Sequence, residues 1–218
     1  TEVPAFPVDA VNIKPVYKII SPEKLVDGRY YTVPAWPGTP NPAKAFPEPA
    51  WGACIYIDTQ NQSQGDGSVD KTCASRSAGN TYNLNDFIHI PITTKDMARV
   101  GELASGQFTG NPPEVGDTLI LVGMHTNTRE ILRWTWQTFW CVPDSDSPLS
   151  PSSKAIAHAR PAQLQGAARH YAMASAFQML VPAQPVNGGK DVGSLLAAYN
   201  PHLEAEFGTN VFDMTRPV

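Results

Sequence analysis

The sequence predicts a β-rich α+β domain, with a two-sheet sandwich or jelly-roll-like core and C-terminal helices packed on it. Apolar patterns typical of strands recur up to residue 142, and an alanine-rich segment with helical spacing follows them. The 218 residues suffice for one large domain. Because the strands come first and the helices afterwards, the order favours α+β architecture over alternating βαβ units.

A proline-rich segment, residues 1–50, opens the chain and is predicted to form an arm or strap. It holds ten of the 21 prolines. Proline fixes φ and removes a backbone donor, so we expect no long helix or central strand here. Short β pieces are predicted at 16–20 and 29–33. An extended strap is expected over 34–49, anchored by Trp36 and Phe46.

The β core is predicted over residues 51–142. Its strands are expected at 52–57, 85–92, 118–125 and 130–141, with a short capped helix at 93–98. A hairpin loop at 127–129 is expected to join the last two strands.

Residues 143–218 are predicted to be the helical C-terminal part of the same domain. Helices are expected at 154–158, 162–180 and 202–207. The second is predicted because Leu164, Tyr171 and Ala174 recur at helical spacing.

Composition excludes two classes of partner. Sixteen basic against 20 acidic residues give a net charge of −4, so the chain lacks the basic footprint of a nucleic-acid-binding protein. No stretch approaches the roughly 18 apolar residues of a membrane span. We therefore expect neither a nucleic-acid partner nor a transmembrane segment.

The cysteines point to an oxidising compartment. Cys54 and Cys73 stand at the two ends of a polar loop, and no histidine or cysteine lies at zinc-like spacing nearby. We expect them to form a disulfide, which would add roughly 3 kcal/mol of stability. Cys141 ends an apolar strand and is expected to be a buried thiol. The chain starts at Thr1 without a leader, which fits a processed or trimmed protein. These features favour a secreted or periplasmic location.

Tryptophans dominate the strand predicted at 130–141. Alternation along a strand places Trp134, Trp136 and Trp140 on one face and Arg133 and Gln137 on the other. Two interpretations follow: the indoles form a buried core layer, or they form a stacking platform for sugars or other flat ligands. The candidate ligand-binding residues are His89, His125, Arg133, Trp134, Trp136 and Gln137.

No motif assigns a metal, a cofactor or a catalytic nucleophile. His89 and His125 lie on strands and could together hold copper or zinc, but no local motif supplies a third ligand. The oxygen-rich loop at Asp58, Asp66 and Asp70 does not match a twelve-residue calcium loop. Nucleophile elbows, P-loops and dinucleotide fingerprints do not occur. We therefore predict no metal and no cofactor, and whether the protein is an enzyme stays open.

The run from His125 to Phe139 resembles a stretch in a group of uncharacterised exported bacterial proteins. In that group a Trp-x-Trp-x-Thr-Phe strand follows a histidine-bearing strand. The segment from Tyr199 to Ala205 is similar to a short helix start in the same group. Some members carry a c-type haem motif after that helix, but Cys-x-x-Cys-His does not occur in this chain. The resemblance implies export and one compact domain, and it names no activity.

Three functions are compatible with these observations. The first is an exported domain that binds a small molecule, a glycan or a protein partner through an aromatic-lined groove. The second is a histidine-centred hydrolase or oxidoreductase, with or without metal assistance, built around His125 and His89. The third is a structural subunit of a larger assembly, with segment 1–50 packing on neighbours.

Overall fold

In the part of the chain that it describes, the computed structural model contains two main β-sheets and only short helices. It describes residues 6–42, 44–103, 112–129, 135–176, 183–184, 190–191 and 199–207. The strands are β1 (Val11–Ile20), β2 (Tyr30–Pro34), β3 (Cys54–Asp58), β4 (Thr81–Asn83), β5 (His89–Pro91), β6 (Thr118–Thr128), β7 (Thr135–Cys141), β8 (Tyr171–Ala176), β9 (Ala183–Gln184) and β10 (Lys190–Asp191). The helices are α1 (Met97–Leu103), α2 (Lys154–His158) and α3 (Pro201–Glu204).

The larger sheet is built around β6. One edge of β6 pairs with β1 along its whole length. The other edge is shared: β5 pairs with its first residues and β7 with its last, and β8 extends the sheet beyond β7. All these pairings are antiparallel.

The smaller sheet has the order β2–β3–β4, and β9 and β10 form a separate two-stranded ribbon. Every residue of β3 is buried. Ile55 and Ile57 of β3 share one hydrophobic core with Ile120 and Val122 of β6, so the two sheets are held together by common packing. Each such side chain contributes roughly 1.5–3 kcal/mol when fully buried. The prediction of a β-rich fold with two sheets is confirmed.

The polar loop after β3 is closed by the Cys54–Cys73 disulfide, as predicted. The loop is tied down further by Asp70, whose backbone exchanges two 2.8 Å hydrogen bonds with Cys54. The Tyr56 hydroxyl donates to Asp70 Oδ2 at 2.9 Å. These bonds therefore hold the polar loop against β3.

The prediction of a long helix over 162–180 is wrong. Gly166–His170 is a 3₁₀ turn and the next six residues form β8, while 177–180 lie outside the described residues. Ala172 and Ala174 stand opposite Trp140 and Thr138 of β7, and both alanines are buried. Pairing with β7 overrides the helical propensity of alanine, because small side chains leave room for the fully buried indole of Trp140.

The predicted loop at 127–129 begins later than expected. Asn127 and Thr128 continue β6 and pair with Trp136 and Thr135 of β7. Only residues 135–141 of the strand predicted at 130–141 are described. The short helices predicted near 154 and 202 are present as α2 and α3.

Asn200 docks α3 onto the larger sheet. Its Oδ1 accepts from the backbone N of His202 at 3.0 Å and caps the helix. Its Nδ2 donates to Thr138 Oγ1 at 2.9 Å and to the Phe139 carbonyl at 2.8 Å. A Cβ at Gly123 would lie 2.8 Å from Asn200 Oδ1, so glycine is what permits this close approach.

Candidate functional site

An apolar pocket of about 350 Å³ lies between the larger sheet and the segment containing α2. On the sheet side it is lined by Leu121, Met124, Phe139, Tyr171 and Met173. On the other side it is lined by Pro148, Ile156, Ala157, Pro161, Leu164 and Ala168. Its volume falls within the roughly 300–1,000 Å³ of small-molecule sites, and apolar lining is typical of such sites.

Tyr171 fixes the floor of this pocket. It is the first residue of β8, and its hydroxyl donates to the Leu121 carbonyl at 2.8 Å and accepts from the backbone N of Ile88 at 3.1 Å. These bonds bridge β6 and the residue before β5, where β7 does not reach. Burial is the main cause of the raised pKa of Tyr171. The phenol is therefore neutral, and its two hydrogen bonds hold its ring in the floor of the pocket.

Besides Tyr171, the described residues that line the pocket include two polar ones, Ser152 and Arg160. Ser152 is 8% exposed, and its Oγ has no hydrogen-bond partner among the described residues. The Arg160 guanidinium donates to Asp146 Oδ1 at 3.3 Å and to the Ser145 carbonyl at 2.7 Å. The pocket thus combines an apolar wall with one cation that already has partners, and the Ser152 hydroxyl is buried beside it.

Other buried unpaired polar atoms do not belong to the pocket. They occur in Thr126, Asn127 and Trp140, none of which lines it. Ser152 is therefore the one described lining residue with such an atom.

A charged cluster brings the proline-rich segment against α3. Glu48 lies in a 3₁₀ turn between two prolines, and its Oε1 is 2.5 Å from His202 Nδ1. Its Oε2 accepts from Lys18 Nζ at 2.5 Å. Burial alone would raise the pKa of Glu48, but hydrogen bonds and charges from His202 and Lys18 outweigh it and lower the pKa to about 2. Glu48 is therefore an anion held between two basic side chains.

Cys141 lies on the other side of the His202 ring. Its Sγ is 3.9 Å from His202 Nε2, and burial raises the pKa of the thiol to about 12. Cysteine, imidazole and carboxylate thus follow one another in space. A polar groove of about 360 Å³ runs past His202 and Glu48 and includes Lys14 and Lys18.

His89 and His125 occupy different parts of the larger sheet. His89 pairs with Ile120, and its Nδ1 is 2.9 Å from the Phe87 carbonyl. His125 lies on β6 five residues beyond Ile120, which is about 17 Å at the usual rise per residue of a strand. Its Nε2 is 3.5 Å from Glu204 Oε1 of α3. The two imidazoles therefore have separate partners and do not share a site.

The tryptophan-rich strand is split between core and surface. Trp140 is fully buried, whereas Trp136 is 45% exposed. Gln137 follows Trp136 on β7 and so points to the opposite face of the sheet. Arg133 and Trp134 lie outside the described residues.

The oxygen-rich loop serves the fold. Asp58 is buried and accepts two 2.7 Å hydrogen bonds from Arg29, which is the main cause of the lowered pKa of its carboxyl. Asp70 is tied to Tyr56 and to its own loop. Within the described residues, no group of three or more His, Cys, Asp or Glu side chains could hold a metal ion.

The comparisons with known proteins give no match, and the described part of the chain holds no helix that could span a membrane. The chain matches no protein-family model, no curated protein and no solved structure. Among the described residues, every helix is too short or too polar to cross a bilayer.

Sequence reasoning missed the residues that make both sites. Ser152 and Arg160 come from a segment whose composition is that of a linker and a short helix. Glu48 and His202 are 154 positions apart, so no local spacing relates them. The sequence holds one signal for the part of β8 that lines the pocket: large and small residues alternate from Tyr171 to Ala174, a pattern that fits a strand as well as a helix.

Proposed function

We propose that the chain is an exported β-rich domain that binds a small, largely apolar molecule in the pocket between the larger sheet and α2. The observation that carries this proposal is a concave pocket whose lining is almost entirely apolar. Export is supported by the Cys54–Cys73 disulfide, because such bonds persist mainly in oxidising compartments.

The pocket replaces the tryptophan platform as the proposed binding surface. Its aromatic walls are Phe139 and Tyr171, and Met124 and Met173 lie beside them. Methionine side chains are flexible and adapt to ligands of different outline. A rigid floor with adaptable sides suits a small molecule better than an extended glycan, which needs an open stacking surface.

Binding of an uncharged fluorescent probe, N-phenyl-1-naphthylamine, tests this function. We expect saturable binding to the intact protein. Ala168→Phe, which fills the pocket, should weaken binding at least tenfold. Ala155→Phe makes the same change at an exposed α2 position that does not line the pocket and should leave binding unchanged. Thermal melting of both variants separates loss of binding from loss of fold.

Two results contradict the proposal. One is the absence of saturable binding to the wild-type protein. The other is equal binding by the Ala168→Phe and Ala155→Phe variants when both are folded, since the probe would then sit elsewhere.

A second candidate, a thiol-dependent hydrolase, is favoured by the spatial order Cys141, His202, Glu48. In such an arrangement the sulfur attacks an acyl carbon while the imidazole accepts the thiol proton and passes it to the leaving group; water then cleaves the acyl–sulfur bond, which releases the acid and restores the thiol. Because Cys141 is a neutral buried thiol, His202 Nε2 is the base that this attack requires.

Hydrolysis of a panel of activated esters and thioesters tests the second candidate. We expect turnover by the wild-type protein and its loss in Cys141→Ser and His202→Gln. Turnover that persists in folded Cys141→Ser protein, or its absence in the wild type across the panel, would exclude it.

A further inference from the structure

We infer that the part of the ligand held in the apolar pocket is a flat aromatic hydrocarbon ring, which packs on a row of three side chains across the larger sheet. This Met–Phe–Met row consists of Met124 of β6, Phe139 of β7 and Met173 of β8. The inference rests on the proposed binding function, and it deepens that function by assigning a chemical class to the ligand.

The strand register places the three side chains of the row next to one another. Met124 stands opposite Phe139, and Phe139 stands opposite Met173. Residues directly opposite each other on paired strands project from the same face of a sheet, and all three line the pocket. Neighbouring strands lie about 4.8 Å apart, so the row extends about 10 Å across the sheet and gives a ring system room to lie on it.

The row keeps part of its apolar surface accessible. Each of its three members is half-buried, whereas the residues next to them on the same strands, Gly123, Trp140 and Ala172, are buried. Successive residues of a strand point to opposite faces, so the accessible surface lies on the face that lines the pocket. An apolar ligand that covers this surface releases water from it, which is favourable.

The composition of the row favours an aromatic ligand over a saturated one. The quadrupole of the Phe139 ring attracts a second ring, either offset-stacked on its face or packed against its edge. Thioether sulfurs also make favourable contacts with aromatic rings, and the row has one methionine on each side of Phe139. A saturated ring gains only from burial. An aromatic ring therefore gains additional contacts from every member of the row.

The polar groups around the pocket favour a ring without polar atoms. The Tyr171 hydroxyl already has one hydrogen-bond donor and one acceptor. The Arg160 guanidinium is bonded to Asp146, and the Ser152 hydroxyl is enclosed by the protein and lies out of reach of a ligand. A polar atom on the buried ring would lose its water without gaining a partner, which is unfavourable.

Naphthalene and decalin test this assignment, because they share one carbon skeleton and differ in aromaticity. Headspace gas chromatography above the protein solution measures the free concentration of each compound and hence its association constant. Division of each association constant by the partition coefficient of the compound from water into cyclohexane removes the difference in intrinsic hydrophobicity. The quotient of the two corrected constants, naphthalene over decalin, is the aromatic preference of a protein.

Four variants locate the origin of this preference. Phe139→Leu removes the ring from the row, and Phe207→Leu makes the same change at a residue that is 68% exposed and does not line the pocket. The double variant Met124→Leu/Met173→Leu removes both sulfurs at nearly constant volume. Met97→Leu is its control, because Met97 lies on α1 and does not line the pocket.

In the wild type we expect an aromatic preference of about three- to tenfold. Phe139→Leu should lower this preference about threefold and the double methionine variant about twofold, whereas both controls should keep it. If Phe139→Leu does not fold, the double methionine variant carries the test, since exchanges between Met and Leu preserve volume.

A wild-type protein without an aromatic preference overturns the inference. So does a preference that survives in every folded variant of the row, or one that falls equally in the controls. When N-phenyl-1-naphthylamine still binds in such a case, the proposed function stands. Absence of saturable binding of the probe, of naphthalene and of decalin to the wild type is the separate result that removes the function.

Discussion

Replacing Glu48 by glutamine tests the charged cluster that joins the proline-rich segment to α3. The substitution keeps the shape of the side chain but removes the charge that Lys18 and His202 share. The pKa of Glu48 is lowered from 4.5 to about 2, and each pKa unit corresponds to about 1.4 kcal/mol, which gives about 3 kcal/mol. Because 22% of the side chain is exposed, water screens part of this energy, and we expect a loss of about 2 kcal/mol at pH 7.

The effect of Glu48→Gln should depend on pH with a definite sign. The folded protein binds the Glu48 proton less tightly than the unfolded chain does. The stabilisation is therefore complete above pH 4.5 and is lost as the pH falls towards about 2. The difference in unfolding free energy between wild type and variant should shrink over this range. Asp58 and Asp70 titrate in both proteins, so their contribution cancels in the difference.

Urea unfolding followed by tryptophan fluorescence, at intervals from pH 7 to pH 2.5, measures this difference. Glu23→Gln is the control, because it makes the same chemical change at an exposed residue that forms no ion pair within the described residues. A loss below about 0.5 kcal/mol at pH 7, which is typical of a surface change, would refute the reasoning. So would a difference that stays constant down to pH 2.5.

Three further changes test the fold. Replacing Cys54 and Cys73 by alanine should lower the urea-unfolding free energy by roughly 3 kcal/mol, and dithiothreitol should reproduce that loss in the wild type but not in the variant. Ala172→Leu should cost about 1–3 kcal/mol in the same assay, because residue 172 faces a buried indole; an effect within about 0.5 kcal/mol would contradict the β8 assignment. Gly123→Ala should lower the melting temperature, since its Cβ would crowd Asn200; an unchanged temperature would contradict the close approach.

The features predictable from the sequence are those that local patterns determine. The alternation around Ile55 and Ile57 predicts β3, and the apolar run ending at His125 predicts β6. Cys54 and Cys73 flank a polar loop, and this predicts their disulfide because the two ends of a loop that leaves the core and returns to it lie close together. Each of these signals lies within about twenty residues of chain.

The features that sequence reasoning missed depend on partners far along the chain. The segment from Tyr171 fits a helix and a strand equally well, and only pairing with β7 decides between them. Phe139 and Leu164 line one pocket only because the larger sheet and the segment containing α2 meet in the fold. No spacing in the sequence connects Glu48 to His202, since the sheet that brings them together forms between them.

The pocket and the charged cluster share no lining residue. Phe139 and Met124 line the pocket, whereas their neighbours Thr138 and His125 face Asn200 and Glu204 on the α3 side. The two sites are therefore built from different side chains. Changes at separated sites add in free energy when they share no partners. Glu48→Gln should thus leave the affinity of the pocket for N-phenyl-1-naphthylamine unchanged, and an affinity that changed with it would mean that the two sites are coupled through the fold.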